Sequence, residues 1–405
     1  MLLLNMRIPF INIFLVFCIF LFVSCKGKPD KNDTVLEVTK SNYADTIHID
    51  LDTISTRFSF KDLFSHIEII PLQTTMKSFM CSPQKVIVNE ENINRYVLLD
   101  KFQTSLFSFD SVGNFIRKSP LKNIEKILYR DYIIGHGRIG GNFVFNPFDS
   151  TYMYFFNSKI SMYNHKTLKY IRKEKINLDS LDAFAPALIP LDKDIYVFHA
   201  GYVISQEDSG DDIYFYSISG DSLVKTVNFH RKLYWGFRNS PFSTYAGRFF
   251  FLSPFLTNTI YEIHPDSLSV EPFLTVDYGE NTLNEDNFDS IIHSSDRKFS
   301  YLIDMFQNSK SYWFFSCIEG DKDIKYFFSV YDKATKAIQT VDAGILAYKT
   351  ILLTDEILYC SVKAEDAQKI LDLGILTEEN ANRLVKVKEN DNPVILKCYL
   401  NNKDQ

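Results

Sequence analysis

A short apolar run, followed by a second strand-like segment, recurs six times along this chain of 405 residues. The runs return about every 52 residues, which is the length of one small antiparallel sheet in a repeat protein. Gly, Asn, Asp and Pro residues separate the segments, as tight hairpin turns require. The six runs begin at Tyr96, Tyr152, Ile195, Phe249, Tyr312 and Ile357.

Some of these runs are apolar at every position rather than at every second one. Phe249–Leu252 is the clearest case, and such a strand is expected to be covered on both faces. A small sheet covers both faces when identical sheets stack around an axis. The 36 Phe and 23 Tyr residues also favour strands. We therefore predict an all-β, six-bladed β-propeller over residues 55–405, with two β-sandwiches as the alternative.

The two ends of the chain predict how the ring closes. The last unit has a strand at Val394–Leu400, and the chain finishes at Gln405 with no room for another. A matching strand occurs early, at His66–Leu72, and we expect it to form the outer strand of the last blade. A helical insertion is predicted at residues 364–388 of that blade, with Thr377 as an N-cap. It would cap the ring or bind a partner.

The first residues have the layout of an export signal. Arg7 precedes the apolar run Ile8–Val23, which is short for a membrane span. The sequence Leu21-Phe-Val-Ser-Cys25 resembles a bacterial lipobox. We predict a lipoprotein signal peptide at residues 1–24, a lipid on Cys25 that anchors the protein to a membrane of the cell envelope, the outer membrane, and a flexible tether at residues 25–54. Plain secretion and a retained anchor are the alternatives.

Charge and motif spacing argue against several classes of ligand. The net charge of −6 is unlike that of a nucleic-acid-binding protein. Gly135-His-Gly-Arg-Ile-Gly140 fits a dinucleotide fingerprint, but a strand-like segment follows where a helix is needed, so we expect no cofactor. The eight His residues do not pair at metal-ligand spacing, and we expect no metal. A Cys360–Cys398 bridge stays open if their strands are neighbours.

Two connectors between units carry the candidate ligand-binding residues. Arg side chains can hold carboxylates or phosphates, and Tyr and Trp rings offer flat faces to sugars or peptide side chains. In propellers, function is concentrated in such connecting loops. The alternative is that the aromatic rings pack between blades and the Arg side chains are solvated. The candidates are His136 and Arg138 in the first connector, and Tyr234, Trp235 and Arg238 in the second, with Tyr245 further along.

Several weak motifs, in a fixed order from about residue 55 onwards, resemble one known group of proteins. They are Ile67–Thr74, Ser108–Arg117, Asn258–Ile263, Val276–Gly279 and Glu389–Val394. The chain resembles the six-bladed β-propeller lipoproteins of Bacteroidetes-type bacteria, which are related in shape to NHL-repeat propellers. The resemblance implies an envelope lipoprotein with a propeller, and no reaction. Many members carry a Gly-x-Gly-Pro-Gly-Glu-Tyr-like loop, whereas this chain has Gly135–Phe143 there, without the Pro, Glu and Tyr.

These patterns favour a binding or scaffold module for a peptide, glycan or protein partner over an enzyme. The chain has no Gly-x-Ser-x-Gly elbow, and we assign no catalytic residue. The alternative function is that of an extracytoplasmic lyase or hydrolase acting on glycans or peptides at the channel face of the ring.

Overall fold

The computed structural model places more than half of the described residues in β-strands and few in helices. The residues it describes are 45–51, 59–80, 83–88, 95–100, 105–122, 142–156, 159–177, 187–199, 211–229, 241–252, 258–284, 287, 290, 298–320, 323–346 and 350–401. They belong to one compact unit, Val35–Gln405.

The strands form six sheets, which we number as blades one to six along the chain. Two strands and a one-turn helix precede blade one: β1 (Asp45–His48), α1 (Phe60–Leu63) and β2 (Phe64–Pro71). Blade one contains β3 (Pro83–Val88), β4 (Arg95–Asp100), β5 (Ser105–Asp110) and β6 (Phe115–Pro120). Blade two contains β7 (Asn142–Asn146), β8 (Thr151–Phe156), β9 (Lys159–Asn164) and β10 (Tyr170–Lys175). Blade three contains β11 (Ala187–Pro190), β12 (Ile195–His199), β13 (Asp211–Ser217) and β14 (Ser222–Phe229).

The second half of the chain repeats this plan. Blade four contains β15 (Phe242–Tyr245), β16 (Arg248–Leu252), β17 (Thr259–His264) and β18 (Ser269–Asp277). Blade five contains β19 (Lys298–Gln307), β20 (Ser311–Gly320), β21 (Ile324–Asp332) and β22 (Ile338–Asp342). Blade six contains β23 (Thr350–Leu353), β24 (Ile357–Val362) and β25 (Val394–Leu400), and β2 is its fourth strand.

The blades stack in a closed ring. The first strands of successive blades touch in the order β3, β7, β11, β15, β19, β23, and β23 touches β3 again. Six separate apolar cores lie in the clefts between neighbouring blades, including one between blades six and one. The buried run Phe249–Leu252 therefore has a covered face on each side, as its sequence predicts. The prediction of a six-bladed propeller is confirmed.

Ring closure follows the predicted pairing of the two ends of the chain. β2 pairs antiparallel with β25, with Ile67 opposite Cys398 and Pro71 opposite Val394. The buried Asn392 side chain ties the residues after β2 to the residues before β25. Its Nδ2 donates to the carbonyl oxygens of Gln73 (2.9 Å) and Ser78 (2.8 Å), and its Oδ1 accepts from the Met80 amide (2.9 Å).

The insertion predicted in blade six is helical and lies between β24 and β25. It contains a 3-10 turn (Ala364–Asp366), α2 (Ala367–Leu371) and α3 (Glu378–Leu384). Thr377 caps α3, because its side chain accepts from the Asn380 amide. The insertion covers the outer edge of β2, since Leu376 bridges to Ile67 and the Asn380 side chain accepts from the Ile69 amide at 3.0 Å. An otherwise unpaired strand edge is thereby satisfied.

A strand also occurs within the segment that the sequence analysis assigned to the tether 25–54. β1 adds to blade four as a fifth strand, parallel to β18, with Ile47 opposite Val276. Ile47, Ile49 and Leu51 are buried in the core between blades four and five. The last part of the segment predicted to be a tether is therefore held on the ring, because its alternating apolar residues are buried in this cleft.

The cysteines of blade six are close but unbridged. β24 and β25 are neighbours, but Cys360 lies opposite Leu396 and Cys398 opposite Leu358, so the two thiols are diagonal. Cys317, Cys360 and Cys398 are buried free thiols, and Cys81 lies outside the described residues. Across the described ranges, every helix is too short or too polar to cross a bilayer.

Candidate functional site

The residues that the sequence singled out lie mostly where the structure gives no description. His136 and Arg138 belong to the connector between β6 and β7, and Tyr234, Trp235 and Arg238 to the connector between β14 and β15. These five residues, and the lipidation candidate Cys25, lie outside the described residues. They stay predictions.

Tyr245 is described, and it does not lie with its connector. β15 begins at Phe242, close to the connector, and Tyr245 is its last residue, before the turn at Ala246 and Gly247. Tyr245 therefore lies at the opposite end of its strand. We call this end of the blades, where the turns after their first and third strands lie, the turn face. Grouping Tyr245 with the second connector was wrong, because an intervening strand carries the chain from one face to the other.

At the turn face, cations and aromatic rings gather in the cleft between blades four and five. Arg248 begins β16 beside Tyr245, and its guanidinium lies 5.0 Å from the ring centre of Phe273 in β18. Blade five contributes residues from β20, from the end of β21 and from the turn that follows it. We call this group the basic–aromatic cluster, and its members are Tyr245, Arg248, Phe273, Tyr312, Tyr331, Lys333 and Lys336.

Arg248 is neutralised by a neighbour on its own blade. Its Nε and Nη2 donate to the two carboxylate oxygens of Glu262 at 2.7 and 2.6 Å. These hydrogen bonds hold the pKa of Glu262 below its ordinary value and raise that of Arg248. Such a bidentate pair fixes the guanidinium in one orientation. The Arg248 charge is thus already balanced within blade four.

Lys333 has a different environment. Its Nζ lies 4.4 Å from the ring centre of Tyr312 and 5.4 Å from that of Tyr245, and it donates to the carbonyl oxygen of Asn308. Burial, together with repulsion from Arg248, lowers the pKa of Lys333, although Asp355 opposes this shift. The ammonium group is half-buried against rings and a neutral carbonyl group, which stabilises its charge only in part.

Tyr312 is the centre of the cluster. Its ring stacks on Tyr331 at 6.1 Å and meets Phe273 edge-on at 5.9 Å. Burial raises the pKa of the Tyr312 phenol, with a further contribution from Asp45 at the start of β1, while the charges of Arg248 and Lys336 act in the opposite direction. The cluster supplies positive charge and apolar ring surface, which are means of ligand recognition.

A second polar group lies in the cleft between blades six and one. The Glu68 carboxylate accepts from the Tyr399 hydroxyl at 3.1 Å and pairs with Lys397 at 3.3 Å. The phenol of Tyr96 is buried nearby and finds no hydrogen-bond partner among the described residues. Burial first, and then the phenol of Tyr359 and the carboxylate of Glu68, raise the pKa of Tyr96. This group joins two blades across the ring closure.

Metal ligands do not converge in the part of the chain that the structure describes. No group there combines three or more His, Cys, Asp or Glu side chains in a way that could hold a metal ion.

Sequence reasoning missed the basic–aromatic cluster for a geometric reason. Its members come from two blades, and Arg248 of blade four is more than 60 residues from Tyr312 of blade five in the sequence. One signal was available: in four blades a Tyr stands second in the second strand, at Tyr96, Tyr152, Tyr196 and Tyr312. That position faces the preceding blade, where Tyr196 accepts from Asn146 at 3.0 Å.

The closed ring of six sheets, in which the early strand β2 is the outer strand of the last blade, defines a six-bladed β-propeller. Residues 138–399 match the family described as Domain of unknown function (DUF4934), and residues 38–120 match DUF5128, described as a 6-bladed beta-propeller. The chain belongs to the DUF4934 family. The resemblance to six-bladed propellers noted in the sequence is thereby confirmed.

Two solved structures from Bacteroides are similar to this chain. A Bacteroides fragilis protein, described as a candidate exported protein, is 14% identical and superposes with a TM-score of 0.59, covering 87% of this chain and 98% of its own. A Bacteroides vulgatus member of the DUF4221 family is 12% identical with a TM-score of 0.49, covering 83% and 98%. No curated protein matches the chain. At 14% identity, the likeness to the Bacteroides fragilis protein shows the fold alone.

Proposed function

We propose that the protein is a binding or scaffold module of the cell envelope, anchored to the outer membrane by a lipid on Cys25. The observation that carries this proposal is the closed ring, because a rigid frame holds its loops in place and so lowers the ordering cost of binding. The two candidate connectors are rooted in buried residues, Leu121 and Phe143 for the first, and Val227 and Phe242 for the second.

The location rests on the signal-like start of the chain. The lipobox-like Leu21–Cys25 places a Cys directly after the apolar run. The Bacteroides fragilis protein of the same fold is described as a candidate exported protein, which agrees with this location.

Fractionation of cells tests the anchor. Cys25→Ala releases the protein from the membrane fraction, whereas Cys18→Ala, a matched change inside the apolar run, leaves it there. Retention of the Cys25→Ala protein in the membrane would contradict lipidation.

An array of defined oligosaccharides and a peptide library test the binding role. The full-length protein in detergent retains a subset of these probes, and the Arg138→Ala, Arg238→Ala double variant retains less. If the protein instead releases a cleaved product from a probe, and the double variant does not, the protein is a lyase or hydrolase and the binding-only function is contradicted.

A further inference from the structure

The basic–aromatic cluster carries an inference that is independent of the proposed connector site, because it lies at the opposite end of the blades. Three cations surround the Tyr312 ring: Lys333 lies over its face, and the charges of Arg248 and Lys336 reach its phenol. Two carboxylates act on the same region, Glu262 through Arg248 and Asp45 through Tyr312. A third carboxylate, Asp355, acts on Lys333, so the charges of the region are balanced overall, but the groups that lie directly against the rings are cationic.

Asp355 and Asp332, two further carboxylates nearby, also accept backbone hydrogen bonds. Asp355 accepts from the Ser309 amide at 2.7 Å. Asp332 accepts from the amides of Ala334 and Thr335 at 2.9 and 2.6 Å. Both therefore serve as turn caps. Within the described residues, neither Lys333 nor Lys336 has a carboxylate at ion-pair distance, and both ammonium groups face aromatic rings instead.

The surfaces beside these ammonium groups are half-buried phenol rings. Tyr312 and Tyr331 are nearly parallel, at 22°. Rings of this kind pack against flat apolar surface and leave their hydroxyl groups for hydrogen bonds. Lys side chains bind oxyanions as point charges, without demanding one geometry. A ligand that fits the cluster therefore combines an oxyanion with a molecular framework that presents both C–H and hydroxyl groups.

An extended peptide fits this place less well. Peptides commonly join a sheet by pairing with an unpaired edge strand. The outer edge of blade four is already occupied, because β1 pairs with β18 from Asp45 to His48. Ile47 in β1, and Ile49 and Leu51 just after it, are buried and so fill the apolar part of the cleft.

We propose that the basic–aromatic cluster is a binding site for an anionic saccharide, whose carboxylate, sulfate or phosphate group is held by Lys333 and Lys336 while its ring lies against Tyr312 and Tyr331. The site takes the ligand from the turn face, where Lys336 is exposed. The binding energy is electrostatic in large part, so affinity falls as salt rises.

Ligand-observed NMR with the full-length protein in detergent tests this site. The probes are glucuronate, glucose 6-sulfate and glucose 6-phosphate, with glucose, inorganic sulfate, inorganic phosphate and an acidic peptide as comparisons. At least one charged sugar binds, more tightly than the inorganic anion with the same group and than glucose, and more weakly at raised salt. Which of the three charged sugars binds identifies the oxyanion.

Two variants locate the binding site. Lys333→Met keeps an apolar side chain against the rings, and Lys336→Gln changes an exposed side chain. Each variant is expected to lower the affinity for the charged sugar by about tenfold, because one charge-assisted contact is lost. Lys325→Gln, an exposed change at the other end of β21, leaves binding unchanged. Unfolding midpoints show whether Lys333→Met is folded, and Lys336→Gln decides the matter if it is not. Absence of charged-sugar binding, equal binding of glucose, preference for the acidic peptide, or equal loss in Lys325→Gln would each overturn the proposal.

Discussion

Glu68 and Lys397 lie directly opposite each other across the strand pair that closes the ring, and their side chains form an ion pair of 3.3 Å. In sequence, these two residues are separated by nearly the whole described chain. Tyr399 extends the contact, donating its hydroxyl to Glu68. The turn of blade one packs against the same closing strand: Gly113 has a φ of +90°, and a Cβ there would collide with the carbonyl oxygen of Pro71. The ends of the chain and the first blade thus form one structural unit.

The strand β1 contributes to stability through the residues it buries. Ile47→Ala is expected to lower the free energy of unfolding by about 2 kcal/mol or more, because it leaves a cavity in the core between blades four and five. Urea denaturation measures the change. Thr46→Ala, an exposed neighbour in β1, is the control and changes little. Equal stability of the Ile47→Ala protein and the native protein would show that β1 is not held on the ring in solution.

Two buried tyrosines at equivalent positions are expected to respond differently to loss of their hydroxyl groups. Tyr196→Phe removes the acceptor of the buried Asn146 amide and costs about 1–2 kcal/mol. Tyr96→Phe removes a hydroxyl that has no described partner, and costs less than about 0.5 kcal/mol or stabilises the protein. Urea unfolding of both variants tests the difference. A larger loss in Tyr96→Phe would show that its hydroxyl has a partner, such as an ordered water.

The Arg248–Glu262 pair gives stability a defined pH dependence. Because the pKa of folded Glu262 is depressed, its contribution is present above the unfolded pKa and is lost as the pH falls through the folded pKa. Glu262→Gln therefore costs a few tenths to about 1 kcal/mol at neutral pH, since the Arg248 side chain is partly exposed. The difference between variant and native protein shrinks below about pH 4. Urea midpoints across this pH range measure it, and a difference that grows on acidification would contradict the assigned pairing.

The buried cysteines are expected to be unreactive in the folded protein. A hydrogen bond with the Cys360 thiol, together with burial, raises the pKa of Cys398, which keeps its thiol protonated. With Cys18, Cys25 and Cys81 changed to Ser, the remaining three thiols react with a thiol reagent only after denaturation. Rapid labelling of the native protein would contradict the burial, and a mass lower by two hydrogens would reveal a Cys360–Cys398 disulfide.

The sequence predicted the elements that depend on the local pattern of apolar and turn-forming residues. Doubly apolar runs such as Phe249–Leu252 identified the second strands, and the matching strand pattern of His66–Leu72 pointed to its pairing with Val394–Leu400. The Thr377 cap was also predicted, although α3 ends at Leu384, before the end of the helical insertion predicted at residues 364–388. These features depend on neighbouring residues in the chain, or on one missing strand.

Features that depend on packing between blades were not predicted. The sequence predicts a tether where β1 lies, because only three alternating apolar residues, Ile47, Ile49 and Leu51, distinguish this segment from a polar linker. Its place on blade four is a parallel pairing with residues more than 200 positions away. The basic–aromatic cluster likewise forms only when turns of two blades meet. The candidate residues of the connectors, His136, Arg138, Tyr234, Trp235 and Arg238, stay predictions.

Ring closure by the start of the chain is the central claim, and a cross-link between opposite residues of β2 and β25 tests it most directly. Glu68→Cys combined with Lys397→Cys places two Cβ atoms across one antiparallel pair, within reach of a disulfide. In the background lacking Cys18, Cys25 and Cys81, mild oxidation is predicted to form this disulfide within single chains, seen as a mass lower by two hydrogens and as faster migration on a non-reducing gel. Glu68→Cys with Lys173→Cys, on blade two, stays reduced. Reduced thiols in the Glu68→Cys, Lys397→Cys protein, or cross-links only between chains, would contradict the closure of the ring.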